Sequence, residues 1–278
     1  MVAGSPAPAD RGLRLGARWA QTQARWAQTQ ARGLRLGPAG ADHPNMDASA
    51  YAFVHGIRST RRTLRAWNRE PWPVLRTWLM GSFAAAAVLL IAVWVVAAIT
   101  PGSLPISLHK PPFYIGRGSD VVHVLLDNSL VLALHALACV AGFVAGSSLP
   151  LQARQHRGVV KVIHERGGTI AIVFVACATV FSLGNQAYVL GTGLAGAALA
   201  LHTSPGLLLL GLLPHAVLEL SALFLPLAAW IIASRRGDWD KLLAATVVTV
   251  ALAVPALIAA ALWEVYVAPH LLQALIGY

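Results

Sequence analysis

Five long apolar blocks dominate the chain, at about 77–99, 122–146, 169–190, 206–233 and 242–266. Each is near the roughly 20 residues an α-helix needs to cross the hydrocarbon core of a bilayer. Backbone polar groups cannot stay unpaired in lipid, so blocks of this kind must be helical. The fourth is long, and Pro214 and Pro226 are placed to kink it. The fold class expected is all-α: a polytopic transmembrane helical bundle of about five spans, occupying 77–270. The apolar, Gly-rich stretch 191–205 is open to a second reading, a re-entrant half helix.

Charge gives this pattern a direction. Between the blocks, nineteen Lys and Arg fall on one side of an alternating five-span arrangement and two, Lys110 and Arg117, on the other. Positive loops stay in the cytoplasm, which puts the N-terminus inside and the C-terminus outside. The same distribution accounts for a net charge of +10 without nucleic acid as a partner. Composition agrees: 57% of the 278 residues are hydrophobic and 12% charged, against about 25% charged in a soluble domain. With a mean hydropathy of +0.63, an ordinary cytosolic enzyme and a disordered regulator are both excluded.

The front end divides in two. Residues 1–45 are a low-complexity basic extension in which Arg-Trp-Ala-Gln-Thr-Gln recurs at 18–23 and 25–30, and Arg-Gly-Leu-Arg-Leu-Gly at 11–16 and 32–37. The expectation is an unstructured segment, with Met46 as a candidate alternative start; a lipid-binding tail is the sharper reading. Residues 46–76 are a cytoplasmic amphipathic or basic segment. Arg58, Arg61, Arg62, Arg65 and Arg69 interleave there with Phe53, Ile57, Leu64 and Trp67, until Glu70-Pro71-Trp72-Pro73 breaks the run.

Polar groups inside apolar blocks are costly and call for a reason. The candidates are Asp127, Asn128 and His135 in block two, Asn185 and Gln186 in block three, His215 and Glu219 in block four, and Glu264 in block five. At about 1.5 Å per residue, Asp127, Asn128 and Asn185 lie roughly 8–9 Å below the outer boundary, His215 about 14 Å, Glu219 about 20 Å and Glu264 about 3 Å. An intramembrane polar cluster of Asp127, Asn128, Asn185, His215, Glu219 and Glu264 is therefore expected. His215 and Glu219, four apart, share a helix face. The same chemistry serves a structural hydrogen-bonded network, a proton or solute path, or a metal site completed by Glu264. One imidazole and one carboxylate in a turn do not make the H-E-x-x-H zinc signature, so no metal and no cofactor is assigned. His135, Gly142, Gly146 and Gly191 are read as helix-packing positions, with Gly142 and Gly146 forming a G-x-x-x-G pair. Cys139 and Cys177 lie within apolar blocks and read as small hydrophobes. No P-loop, dinucleotide-binding or G-x-S-x-G motif occurs. The Lys110-Pro111-Pro112-Phe113-Tyr114 loop is a Pro-rich connector or a partner contact outside the membrane.

From about 120 to 270 the chain resembles the stage II sporulation protein M family of bacterial membrane proteins. Pro214-His215-Ala216-Val217-Leu218-Glu219-Leu220-Ser221-Ala222 is similar to the family's His-Gly-x-x-Glu-x-x-Ala block, with Ala216 in place of Gly. Glu264 within Trp263–Pro269 resembles its closing Glu-aromatic-Pro motif. Asn185 with Gly191 resembles its Asn-Gly-x-x-x-Gly block, with Gln186 in place of the first Gly, and Asp127-Asn128 resembles an Asn-Asn pair. The resemblance implies a multi-pass protein of the bacterial cytoplasmic membrane, a scaffold that positions envelope or peptidoglycan-remodelling partners rather than an enzyme. Two alternatives stand beside it: a transporter or permease-like component with a polar path at His215 and Glu219, and a metal-dependent intramembrane hydrolase.

Overall fold

The computed structural model describes residues 48–100, 116–144 and 159–277, with side chains for 56–100, 116–144 and 173–277. Residues 1–45, the Lys110–Tyr114 connector and Gly146 lie outside the described residues. Helix α1 (Ala48–Arg69) is followed by α2 (Trp72–Ile99), α3 (Gly118–Phe143), α4 (Val159–Ala200) and α5 (Pro205–Arg236). A short 3-10 turn (Trp239–Lys241) leads into α6 (Leu242–Leu262), a π-helical turn (Trp263–Val267) and α7 (Ala268–Ile276). No strand occurs among the described residues. Five segments are long and apolar enough to cross a membrane: Trp72–Ile99, Gly118–Phe143, Val173–Ala200, Pro205–Arg236 and Trp239–Ile276. The chain is a multi-pass, all-helical membrane protein.

The helix ends follow local rules. The Glu70-Pro71 step separates α1 from α2, whose first turn tolerates Pro73 because its N–H would be unpaired there in any case. The Ser204 hydroxyl caps α5 by accepting from the Leu207 N–H at 3.2 Å, with Pro205 at the first helical position. Gly237, at φ 72°, closes α5 in the left-handed conformation that glycine enters without steric cost.

Two block ends differ from the sequence expectation. Helix α4 runs unbroken to Ala200, so 191–200 is ordinary helix and not a re-entrant half helix. Gly191 is a contact position: a Cβ there would lie 2.6 Å from Val96 Cβ and 2.9 Å from the Val93 carbonyl. The fifth span does not stop at 266 either; it continues through the π turn to Ile276. Both extensions change the depth of the polar residues.

Helix α5 is the centre of the bundle. It packs against α2, α6, α3 and α7. One cluster joins Ala86, Leu89 and Val93 of α2 with Leu194 and Ala198 of α4, Phe224 and Leu227 of α5, and Leu272 of α7. A second joins Leu132 of α3 to Ala222 and Leu223 of α5 and to Ala253 and Leu257 of α6. In lipid, water exclusion does not drive helices together; close packing does, and small residues permit it. Ala86, Ala253, Ala260 and Ser82 are wholly buried at these seams. Gly142 works alike: a Cβ there would lie 2.5 Å from Trp230 Nε1. Large apolar side chains such as Phe83, Ile91, Phe174 and Phe181 face outward, as lipid contact requires.

Candidate functional site

Three helices bring the polar residues of separate segments to one point. On α5, His215 and Glu219 are one turn apart and line a space shared with Glu264 and with Leu272 of α7. Glu264 comes from the π turn. One imidazole nitrogen of His215 and one carboxylate oxygen from each glutamate all lie within 4.8 Å of one another. His215 is 7% exposed, and its Nδ1 is buried with no hydrogen-bond partner among the described residues. The glutamates are half-buried. Asn128 of α3, itself buried, sets its side-chain amide beside the Glu219 carboxylate.

The π turn explains why Glu264 points here. The Ala268 N–H reaches back to the Trp263 carbonyl, five residues earlier, so the turn is wide. Pro269 has no N–H to give to the Val265 carbonyl four residues before it. That carbonyl instead accepts from the Gly116 N–H, at 3.3 Å. The entry to α3 is therefore tied to the turn that carries Glu264, and nothing larger than glycine fits at 116, where a Cβ would sit 2.6 Å from Val265.

Two cavities meet at this residue. The first, about 540 Å³, lies among α2, α4, α5 and α7. Apolar side chains such as Leu90, Leu194 and Leu212 line it, and its polar patch is His215, Glu219 and Glu264. The second, about 360 Å³, is polar and is walled by Gly116, Asp120, His123, Asp127, Glu264 and Val265. Glu264 lines both. Asp120, His123 and Asp127 follow one face of α3 at helical spacing, and Asn128 continues that line to Glu219. Asp120 also accepts from the Arg117 N–H at 2.7 Å, which caps α3. Asp120 and His123 were not among the sequence candidates. The signal was present, since they repeat the Asp127 spacing one and two turns earlier, but they fall just before and just inside the apparent start of block two.

The other candidates are placed differently. Asp127 is exposed and belongs to the polar cavity, not to the His215 contact. Asn185 is exposed on α4 and does not join the cluster. Because α4 continues to Ala200, Asn185 lies about 22 Å from that helix end rather than about 8 Å. Its level suits Glu219, but its face is wrong. Glu264 moves the opposite way: it lies about 18 Å from Ile276, not about 3 Å from the boundary, which brings it level with His215, about 15 Å into α5. His135 stacks edge-on against Phe224, with ring centroids 5.8 Å apart. This fits a packing role. Cys139 donates to the Pro226 carbonyl at 3.2 Å, within the apolar core.

The chemistry of the set is specific. Two carboxylates side by side in a poorly solvated site repel each other unless a cation lies between them. Ligands held about 2.0–2.2 Å from one tetrahedral zinc ion lie about 3.3–3.6 Å apart, so the separations within 4.8 Å shorten by roughly 1 Å as the three groups close on an ion. One nitrogen and two oxygen donors suit zinc, manganese or iron(II) better than calcium, which takes six or more oxygens. The adjoining cavity leaves room for a further ligand. A scan against protein-family models, a search of curated proteins and a search of solved structures each return no match to this chain.

Proposed function

We propose that this protein is an integral membrane component of the stage II sporulation protein M type, working in the bacterial cell envelope, and that its working centre is a divalent-metal site at His215, Glu219 and Glu264. The observation that carries this reading is the convergence of one ligand atom each from His215, Glu219 and Glu264 within 4.8 Å of one another, on a buried histidine whose Nδ1 has no described partner. Three of the four segments that resemble the family supply this centre: Asp127-Asn128, Pro214–Ala222 and Trp263–Pro269. The basic end of the bundle, with Arg61, Arg76, Arg235, Arg236 and Lys241, faces the cytoplasm in this reading. The polar cavity then opens outward, on the side where envelope-remodelling partners act, and the chain positions those partners.

A second reading, passage of a cation or small solute, is favoured by one observation: Glu264 lines both the outer polar cavity and the inner apolar one. The two readings separate in one experiment. Purified protein in detergent, stripped with a chelator, is titrated with Zn²⁺ or Mn²⁺ and then reconstituted into vesicles holding a metal-sensitive dye. Saturable binding of one ion, lost in Glu264→Gln and His215→Ala but retained in Asp127→Asn, supports the metal centre. Dye response across the membrane, abolished by the same substitutions, promotes it to a transport path. Absence of saturable binding by the folded protein overturns both.

A further inference from the structure

A different part of the molecule carries a second binding site. Helix α1 is fastened to the bundle near its start, where Ser59 also donates to Asp240 at 3.4 Å, and again toward its end. At Gly56 a Cβ would lie 2.8 Å from Phe143 and 3.3 Å from Leu243, so the helix touches the ends of α3 and α6 there. Eleven residues later, Trp67 meets Trp78 of α2 edge to face, with ring centroids 5.2 Å apart. These fastenings are about 16 Å apart along the helix. Between them opens the largest cavity described, about 970 Å³.

Its two walls differ in kind. The membrane-side wall is hydrocarbon: Val74, Leu75 and Trp78 of α2, with Leu243 and Val247 of α6. The rim is cationic: Arg61 and Arg65 of α1. The same two arginines also line a cleft of about 430 Å³ on the outer side of α1, together with Arg58, Arg62 and Arg69. No described carboxylate pairs with any of these five. Cations packed this closely at a membrane surface favour an anion, and a guanidinium fork matches a phosphate oxygen pair. A soluble anion would satisfy the rim and leave the hydrocarbon wall bare. A neutral lipid would satisfy the wall and leave the rim uncompensated.

We propose that the groove between α1, α2 and α6 binds one anionic phospholipid, its phosphate held by Arg61 and Arg65 and its acyl chains lying along Trp78 and Val247. This site is independent of the metal centre. It fits a discrete lipid, beyond the general attraction of a basic helix to a charged surface, because only two of the five arginines face the groove.

The test uses the full chain in detergent, with phosphatidylglycerol, phosphatidylcholine or inorganic phosphate added, read by native mass spectrometry and by thermal unfolding. Phosphatidylglycerol is expected to remain bound at a stoichiometry of one and to raise the midpoint. Phosphatidylcholine and inorganic phosphate should do neither. The paired substitution Arg61→Gln with Arg65→Gln should weaken retention about tenfold or more. Arg58→Gln with Arg62→Gln, which removes equal charge from the outer cleft alone, should change it less than threefold. Circular dichroism and the metal titration of the previous section confirm that both double variants are folded. Equal losses in the two pairs would reduce the effect to surface charge and overturn the discrete site. So would equal retention of phosphatidylcholine, or a midpoint raised as much by inorganic phosphate.

Discussion

Asn128 and Asn185 are chemically identical and come from helices of similar apolar character, yet the structure gives them opposite roles. Asn128 is buried on α3 with its amide beside Glu219, whereas Asn185 is exposed on α4. If the Asn128 amide donates to Glu219 when a metal is bound, replacing it with Ala removes a hydrogen bond to a charged acceptor, worth about 1.5–3 kcal/mol. If that bond fixes the Glu219 carboxylate for metal, the loss reads as roughly 10- to 150-fold in affinity, since 1.4 kcal/mol is about tenfold. Loss of outer-shell partners at known metal sites costs about 10- to 100-fold, the same scale. Asn185→Ala should leave affinity within a factor of two. The assay is competition of each purified variant against a graded chelator, with Zn²⁺ as the probe and unfolding midpoints as the control for integrity. Equal losses in both variants, or a loss in Asn185→Ala alone, would refute the assignment of faces and with it the way α3 and α4 are packed.

Four further outcomes follow from the same contacts. Gly191→Ala should destabilise by about 1–3 kcal/mol through overpacking on Val96 and the Val93 carbonyl, whereas Gly184→Ala, with nothing within 4 Å of its Cβ, should gain up to about 1 kcal/mol of helix propensity; equal midpoint shifts would count against the close approach of α4 to α2. Glu219→Gln should retain more thermal stability than Glu219→Leu, because an amide still pairs with Asn128 while leucine leaves a buried amide unsatisfied at a cost of about 1–3 kcal/mol; identical midpoints would remove the Asn128 contact from the account. Pro269→Ala restores an N–H that can claim the Val265 carbonyl, so metal affinity should fall while helix content stays constant; unchanged affinity would detach the π turn from the placement of Glu264. Gly277→Cys in a Cys177→Ser background should react with an impermeant thiol reagent in intact cells, and labelling only after lysis would reverse the orientation proposed from the arginines.

The helical architecture was legible because lipid imposes a length and a hydropathy on each span, and both are properties of composition. Five spans, and the polar residues they carry, follow from those alone. Depth and facing were harder, for a physical reason. The ends of blocks three and five were read at 190 and 266, where Gly191 and the Trp263–Pro269 segment suggest interruption. Gly191 proves to be a seam residue inside a continuous helix, and Pro269 sits in the first turn of α7, where proline is tolerated. A glycine that breaks a helix and a glycine that lets two helices touch look the same in one dimension. Asn185 was grouped with the cluster on depth alone, but membership also depends on which neighbour the helix packs against. Helix α4 leans on α2, and this turns Asn185 away from α3 and α5.

Glu264 shows how the same ambiguity can conceal a device. A glutamate near the end of an apolar block reads as a boundary charge at the water interface, and in a straight helix stopping at 266 it would be one. The π turn and Pro269 alter both its depth and its direction. The wide turn re-aims the side chain, and the missing proline N–H frees the Val265 carbonyl, which the Gly116 N–H then occupies. The backbone that positions Glu264 is thereby the backbone that anchors α3, and α3 carries both Asn128 and the polar line of Asp120, His123 and Asp127. A shift of α3 would disturb the Asn128 contact with Glu219 and the Glu264 support together. The centre is linked to the polar cavity through two contacts on one helix, so a ligand or partner that moves the start of α3 has a direct physical route to His215, Glu219 and Glu264.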